Sequence, residues 1–284
     1  MRFNLLSPAK INLVLRIGKL RKDGFHELAS LMSKLNWGDR MQGVVRKSED
    51  FWVIFQGSDL GIPVEKNLIY RAANLFHEKF KIAFELEVKL QKNIPTEAGL
   101  GGGSSNAATT LLILAKAFGV SRAKLLPLAA KLGSDVHFFL STDNSAWCLG
   151  RGEKLAGVDL PALPILVVKP KKAKISTGLA YCELDRQRGA KARSWFLDLK
   201  MPDYFQDSFS IPRLENDFEV LALKASKELQ SVKSRLIKSG AVAGQMSGSG
   251  SCFFGVYASS VDRERAQGFF KKAGFEIFAC EIAA

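Results

Sequence analysis

Histidine and cysteine are both scarce in this chain: three histidines and four cysteines in 284 residues. Cys148, Cys182, Cys252 and Cys280 stand far apart and form no Cys-x-x-Cys pair, which argues against a structural zinc site. Reduced, mostly buried thiols of a cytoplasmic enzyme are the expectation. No apolar run approaches the length of a membrane span, and the N-terminus leads into a strand-like pattern without the layout of a signal peptide. Internal repeats and low-complexity tails are also missing. These absences lead us to expect a soluble cytoplasmic protein with no membrane partner.

Acidic residues are the minority charge. Lys and Arg number 41 against 28 Asp and Glu, a formal net charge of +13. Such an excess suits nucleic acid, an anionic surface or small anionic substrates. The basic residues are scattered apart from Lys169–Lys174 and Arg186–Arg193, which read as solvated loops. Small anions therefore fit better than nucleic acid. With 47% hydrophobic and 24% charged residues, the composition is that of an ordinary globular protein, long enough for one large or two medium domains.

The richest stretch is Pro95-Thr96-Glu97-Ala98-Gly99-Leu100-Gly101-Gly102-Gly103-Ser104-Ser105-Asn106. Without a Cβ, glycine lets another group approach the backbone and allows positive φ. Ser104, Ser105 or Asn106 is suited to cap a helix formed by Ala107 to Ala117. A helix start behind a glycine turn presents free N–H groups and a positive dipole end, which suits phosphate. The stretch is not a P-loop, because no lysine follows Gly103. Nor is it the dinucleotide fingerprint, because Ser104 stands where the third glycine belongs.

Ile11, Leu13, Leu15 and Ile17 alternate and predict a strand with one buried face, leaving Lys10, Asn12 and Arg16 on the other with Val14. Asp23-Gly24 marks a turn, and His26 to Leu35 reads as the returning strand. Further strands are expected at 41–45, 51–55, 84–90 and 146–149, and helices at 67–80, 106–118 and 122–132. Gly133 reads as a C-cap, after which Ser134-Asp135 opens an apolar run, Val136 to Leu140. Pro161 and Pro164 bracket a linker. Beyond it the order is a strand from Ile165, a helix near 216–239, strands at 242–246 and 252–257, a helix at 261–273 and a strand at 275–279. This order fits a ferredoxin-like β-α-β-β-α-β layer.

Three segments in order, Ser7-Pro8-Ala9-Lys10-Ile11-Asn12-Leu13, the glycine stretch, and Gln245-Met246-Ser247-Gly248-Ser249-Gly250-Ser251, resemble the three motifs of the GHMP kinase superfamily. Asp23-Gly24-Phe25-His26 and Leu132-Gly133-Ser134-Asp135-Val136 narrow the resemblance to the 4-diphosphocytidyl-2-C-methyl-D-erythritol kinases. The resemblance implies an α+β two-domain GHMP kinase fold. Residues 1–160 would form an S5 domain 2-like ATP-binding half and 161–284 a ferredoxin-like half, with the active site in the cleft between them. It implies ATP and Mg²⁺ as cofactors, a cytidine diphosphate-linked methylerythritol as substrate, and a monomer or weak homodimer.

The family's roles fall on matching positions. Lys10 and Asp135 would be catalytic, Asp135 taking or orienting the hydroxyl proton. Pro95 to Ser105 would bind ATP, the backbone N–H groups of Gly99 to Ser105 holding the β- and γ-phosphates, with the Ser104 and Ser105 hydroxyls in reach of them or of Mg²⁺. Asn67, Leu68 and Lys92 match adenine-side positions. Asn12, Gly248 and Ser249 would meet the substrate, and Thr177 its sugar or phosphate. His26 would hydrogen-bond the cytosine, while Phe25 and Tyr181 would sandwich it. Read alone, Phe25 and Tyr181 are core aromatics, and Asp135 and Lys10 are a cap and a strand lysine. Two residues depart from the family. Glu97 replaces a small residue and is expected to point outward or meet a basic neighbour. His137 replaces a common proline; it would reach the side of Asp135 only on an extended segment, and is read as structural.

Overall fold

The computed structural model describes residues 1–57, 61–188 and 213–283. The chain forms two compact units, each assembled from separated stretches. The first comprises Met1–Ala9, Asn36–Thr96 and Gly101–Asp143; the second comprises Lys10–Leu35, Glu97–Leu100 and the chain from Asn144 onward. The units therefore do not follow a single cut near residue 160.

In the first unit, strand β4 (Phe84–Gln91) lies between two neighbours. It pairs in parallel with β3 (Trp52–Gly57) and antiparallel with the end of β2 (His26–Lys47), with Met41 opposite Leu90. Phe84, Leu86, Val88 and Leu90 are buried in strict alternation, the mark of a sheet with one face inward. Helix α1 (Leu68–Phe80) starts where Asn67 Oδ1 accepts from the N–H of Ile69. It buries Ile69, Ala72, Ala73 and Phe76, the spacing of a single helical face, against helix α2 (Gly102–Phe118). Helices α3 (Leu126–Leu132) and α4 (Ser134–Leu140) follow, and both pack on α2.

In the second unit, the start of β2 pairs antiparallel with β5 (Ser145–Gly150), which pairs with β6 (Lys154–Gly157). Strand β1 (Arg2–Leu20) adds a short parallel partner, β8 (Glu215–Asn216), with Val14 opposite Glu215. A separate antiparallel sheet runs in the order β11 (Glu276–Glu281), β7 (Pro164–Lys169), β10 (Phe253–Val256), β9 (Ala243–Met246). Helices α7 (Lys227–Lys238) and α8 (Ser260–Lys272) pack on it. Leu166, Val168, Phe253, Val232, Leu236 and Phe270 fill the core there. The strand order is that of the expected ferredoxin-like layer.

Six local expectations need correction. Strand β1 buries both faces between Ala9 and Leu15, Lys10 and Asn12 included, so it is a central strand there rather than a half-buried one. Strand β2 runs without a break through 26–47, merging two expected strands. Helix α2 begins at Gly102, with Gly101 as its N-cap in the left-handed region (φ 71); Ser104, Ser105 and Asn106 lie inside the helix and do not cap it. The segment from Ser134 is a helix, so Asp135 and His137, two residues apart, point to different faces. The helix expected near 216–239 is interrupted: α6 (Glu219–Ala225) ends at Ser226, whose hydroxyl caps α7 by accepting from the N–H of Leu229. The second basic cluster is also not a loop where described, since Arg186 and Arg188 close helix α5 (Thr177–Arg188); residues 189–193 lie outside the described residues.

Candidate active site

The glycine stretch ends in a helix start that no side chain caps. The first N–H groups of a helix have no partner within it, and Gly103 is exposed. This end therefore fits an anion. Leu68 reaches it: a Cβ on Gly103 would lie 3.0 Å from Leu68 Cδ1. Lys92 reaches it too, its Nζ 2.8 Å from a Cβ placed on Gly102. Asn67, the neighbour of Leu68, uses its Oδ1 as the α1 cap, which leaves its amide nitrogen for any ligand.

Ser104 and Ser105 differ. Ser105 is fully buried and accepts from Ser7 Oγ at 2.8 Å, so it faces inward. Ser104 stays partly exposed, and its Oγ would be 3.8 Å from a Cβ on Gly133. Gly133 precedes α4, so Asp135, in the first turn of α4, belongs to the same corner of the unit as Ser104. A carboxylate and an uncapped helix start thus sit on adjoining elements.

A buried carboxylate that the sequence did not single out holds this corner together. Asp39 has no exposed surface. It accepts from the N–H groups of Asn93 and Ile94 at 2.8 Å each, from Asn106 Nδ2 at 3.0 Å, and from Lys92 Nζ. Asn106 Nδ2 also donates to Ser7 Oγ at 2.9 Å. One side chain therefore ties the approach to the glycine stretch to the first turns of α2. Lys92 is bound to Asp39 before any nucleotide is considered.

The other expected residues lie in the second unit. Lys10 Nζ donates to Asn12 Oδ1 at 2.6 Å, Asn12 Nδ2 donates to Ser30 Oγ at 2.8 Å, and Ser30 donates to the Val14 carbonyl at 2.8 Å. All three side chains are buried. A Cβ on Gly248 would come 3.3 Å from Lys10 Nζ, so the third motif lies beside the lysine. That motif is held from several sides. Asn216 Nδ2 donates to the carbonyls of Met246 and Gly248 at 2.8 Å each. Ser247 Oγ donates to the Gly99 carbonyl at 2.9 Å, and the Cys252 N–H donates to the Ala98 carbonyl at 3.2 Å. The Lys10 N–H donates to the Leu100 carbonyl at 3.0 Å. Residues 97–100 are thus clasped between the first and third motifs. Glu97 is exposed with φ 54, in line with the outward orientation expected of it.

Helix α5 carries the remaining group. Thr177 Oγ1 lies 2.7 Å from Ser249 Oγ. One turn on, the Tyr181 ring stacks on His26 with centroids 4.8 Å apart and planes at 25°, and meets Phe218 edge-on at 4.9 Å. His26 Nε2 is 2.9 Å from Asp185 Oδ1. Tyr181 therefore packs against the core and stacks on His26 together. Phe25 is no core aromatic, being 46% exposed; its ring is covered by the Arg151 guanidinium, 3.5 Å from the centroid. Arg151 thus covers one face of Phe25, and His26 lies on one face of Tyr181. In the turn before them, desolvation pushes the Asp23 carboxyl up, but the Phe25 N–H and the Arg21 and Arg151 guanidiniums hold it below the usual range.

Among the described residues no group of three or more His, Cys, Asp or Glu is placed to hold a metal ion. The partly exposed Ser104 hydroxyl at the start of α2 is an oxygen of the kind that joins phosphate oxygens around Mg²⁺.

Comparison with known proteins identifies the family. Residues 67–149 match the GHMP kinases N terminal domain and 206–276 the GHMP kinases C terminal domain. A protein of Anaeromyxobacter dehalogenans (strain 2CP-C) named 4-diphosphocytidyl-2-C-methyl-D-erythritol kinase is 39% identical over 90% of this chain and 81% of its own. One of the same name from Syntrophotalea carbinolica (strain DSM 2380 / NBRC 103641 / GraBd1) is 35% identical over 98% of both chains. A crystal structure of 4-(cytidine 5'-diphospho)-2C-methyl-D-erythritol kinase superposes with a TM-score of 0.80 at 33% identity, covering 99% of this chain and 100% of that one. The mevalonate kinase of Methanococcus jannaschii, at 14% identity and a TM-score of 0.66 over 100% of this chain and 99% of that one, shares the fold. The chain is a GHMP kinase and belongs to the 4-diphosphocytidyl-2-C-methyl-D-erythritol kinase family.

Proposed function

We infer that this chain transfers the γ-phosphoryl group of ATP to the 2-hydroxyl of 4-diphosphocytidyl-2-C-methyl-D-erythritol. The products are ADP and the 2-phosphate, in the non-mevalonate route to isoprenoid precursors. The observation that carries the chemistry is the uncapped start of α2 beside the α4 turn that bears Asp135.

Phosphoryl transfer needs mainly positioning and charge neutralisation. The N–H groups at the start of α2 hold the β- and γ-phosphates, with Ser104 Oγ as a further donor. The hydroxyl oxygen attacks Pγ, the bond from Pγ to the bridging oxygen breaks, and ADP leaves. Asp135 takes the hydroxyl proton. The Lys10 ammonium, fixed by Asn12, stabilises the negative charge that grows on the attacking oxygen. Asn12 acts through Lys10 in this reading. Ser104 together with the triphosphate would hold Mg²⁺, which would supply charge neutralisation on the phosphates. Thr177, Ser249 and Gly248 face the sugar and phosphate part of the substrate, and His26, Tyr181 and Phe25 the cytosine. This needs Arg151 to leave the Phe25 face or the base to use the other one.

The test is ADP release on a substrate panel. The cytidylylated methylerythritol should turn over efficiently. Uncytidylylated methylerythritol, homoserine and mevalonate should support less than about a hundredth of its kcat/KM, since a site built to hydrogen-bond a group rejects analogues that lack it. Comparable turnover of mevalonate or homoserine would refute the reading.

A further inference from the structure

We propose that Asp185 is a positioning residue that sets the preference for cytosine over uracil by fixing which nitrogen of His26 carries a proton. The proposal rests on the reading of His26 as the residue that meets the base.

Two contacts from one helix define the imidazole. The Tyr181 stack fixes its plane, and Tyr181 is itself held edge-on by Phe218, which is 2% exposed. Stacking alone leaves the ring free to turn over about the Cβ–Cγ bond. The contact of Nε2 with Asp185 Oδ1, at 2.9 Å, selects one of the two orientations. The His26 side chain is 8% exposed, so water competes little for it. Tyr181 and Asp185 are four residues apart on α5 and share a face.

Helix α5 is fastened at both ends. Thr177 meets Ser249 at 2.7 Å. Arg188 donates to the Ile17 carbonyl at 2.5 Å and pairs with Asp217 at 2.8 Å. Asp185 is therefore held in place although its own side chain is half exposed.

An ionised carboxylate only accepts hydrogen bonds, so Nε2 must carry the hydrogen; in the neutral ring Nδ1 is then a bare acceptor. Cytosine carries an exocyclic amino group at the position where uracil carries a carbonyl. A bare Nδ1 accepts from the amino group and opposes the carbonyl. Without Asp185, the proton is free to sit on Nδ1, which would then donate to the uracil carbonyl. Asp185 thereby sets specificity without touching the substrate.

The test compares kcat/KM for the cytidine and uridine diphosphate-linked methylerythritols, using the full chain. Asp185→Ala should lower the cytidine-to-uridine ratio about tenfold, the equivalent of one hydrogen bond of about 1.4 kcal/mol. The KM for ATP and the melting temperature should not move. Asp185→Asn, whose side-chain oxygen still accepts from Nε2, should keep more of the ratio than Asp185→Ala. His26→Ala should lose the preference entirely. An unchanged ratio in Asp185→Ala beside a collapsed one in His26→Ala overturns the proposal and leaves the base reading standing. An unchanged ratio in His26→Ala overturns both. Nitrogen-15 shifts of the His26 ring in the unsubstituted protein give a reading independent of any variant: the proton should sit on Nε2, and finding it on Nδ1 overturns the proposal.

Discussion

Lys10 Nζ and Asn12 Oδ1 are 2.6 Å apart, and the amide that makes this contact is turned the right way by a third residue. The single proton of Ser30 goes to the Val14 carbonyl, so its oxygen can only accept from Asn12 Nδ2. That leaves Oδ1 for the lysine. Ser30→Ala removes the acceptor and should lower kcat about tenfold with little change in either KM, the loss of roughly one hydrogen bond. Ser30→Thr keeps the hydroxyl and should retain most activity. Steady-state kinetics on the two variants checks this; equal kcat in Ser30→Ala and the unsubstituted chain would count against it.

Gly99 is fixed by its surroundings as well as by its φ of 77°. A Cβ there would meet the Ser247 carbonyl oxygen at 2.0 Å, far inside contact distance. Gly99→Ala must push residues 97–100 off the third motif. It should lose most turnover and destabilise the chain by about 2 kcal/mol or more. Urea unfolding and the ADP-release assay together check both effects.

Removing Asp39 should be more damaging still. Its carboxylate satisfies two N–H groups, an amide and an ammonium with no exposed surface of its own. Asp39→Ala leaves Lys92 and the N–H groups of Asn93 and Ile94 without this acceptor and should cost about 3–5 kcal/mol. A loss below about 1 kcal/mol in urea unfolding would show that water replaces the carboxylate.

Burial pushes the Cys252 and Cys280 thiols up to about 12. Unfolding returns them to ordinary values near 9. The unfolded chain therefore releases these protons first as pH rises, and their contribution to stability, complete below about pH 9, is lost progressively towards 12. Unfolding free energy measured across that window should fall, and less steeply in Cys252→Ala/Cys280→Ala. A thiol reagent should label Cys182, which is exposed, well before the three buried cysteines.

Local pattern made part of this molecule readable in advance. The alternation at 84–90, the apolar face after Asn67 and the glycine stretch each carry their structural reason within a few residues. Ser and Asn favour capping positions in isolation, so local pattern sets the start of α2 too late, whereas here Ser105 and Asn106 are drawn inward by Ser7 and Asp39. Val136 to Leu140 is a short apolar run, which fits strand or helix equally. The supporting residues were hidden for another reason. Asp39 acts on Lys92, 53 positions away, and Asp185 on His26, 159 positions away. Nothing near either aspartate in the chain announces its partner, and only folding reveals it.

A crystal structure with a non-hydrolysable ATP analogue and Mg²⁺ tests the central claim most directly. The phosphates should rest on the N–H groups of Gly102 to Ser104, with the γ-phosphate directed towards the α4 turn that carries Asp135. Phosphates bound at any other place, or an Asp135 carboxylate turned away from the γ-phosphate, would contradict the account.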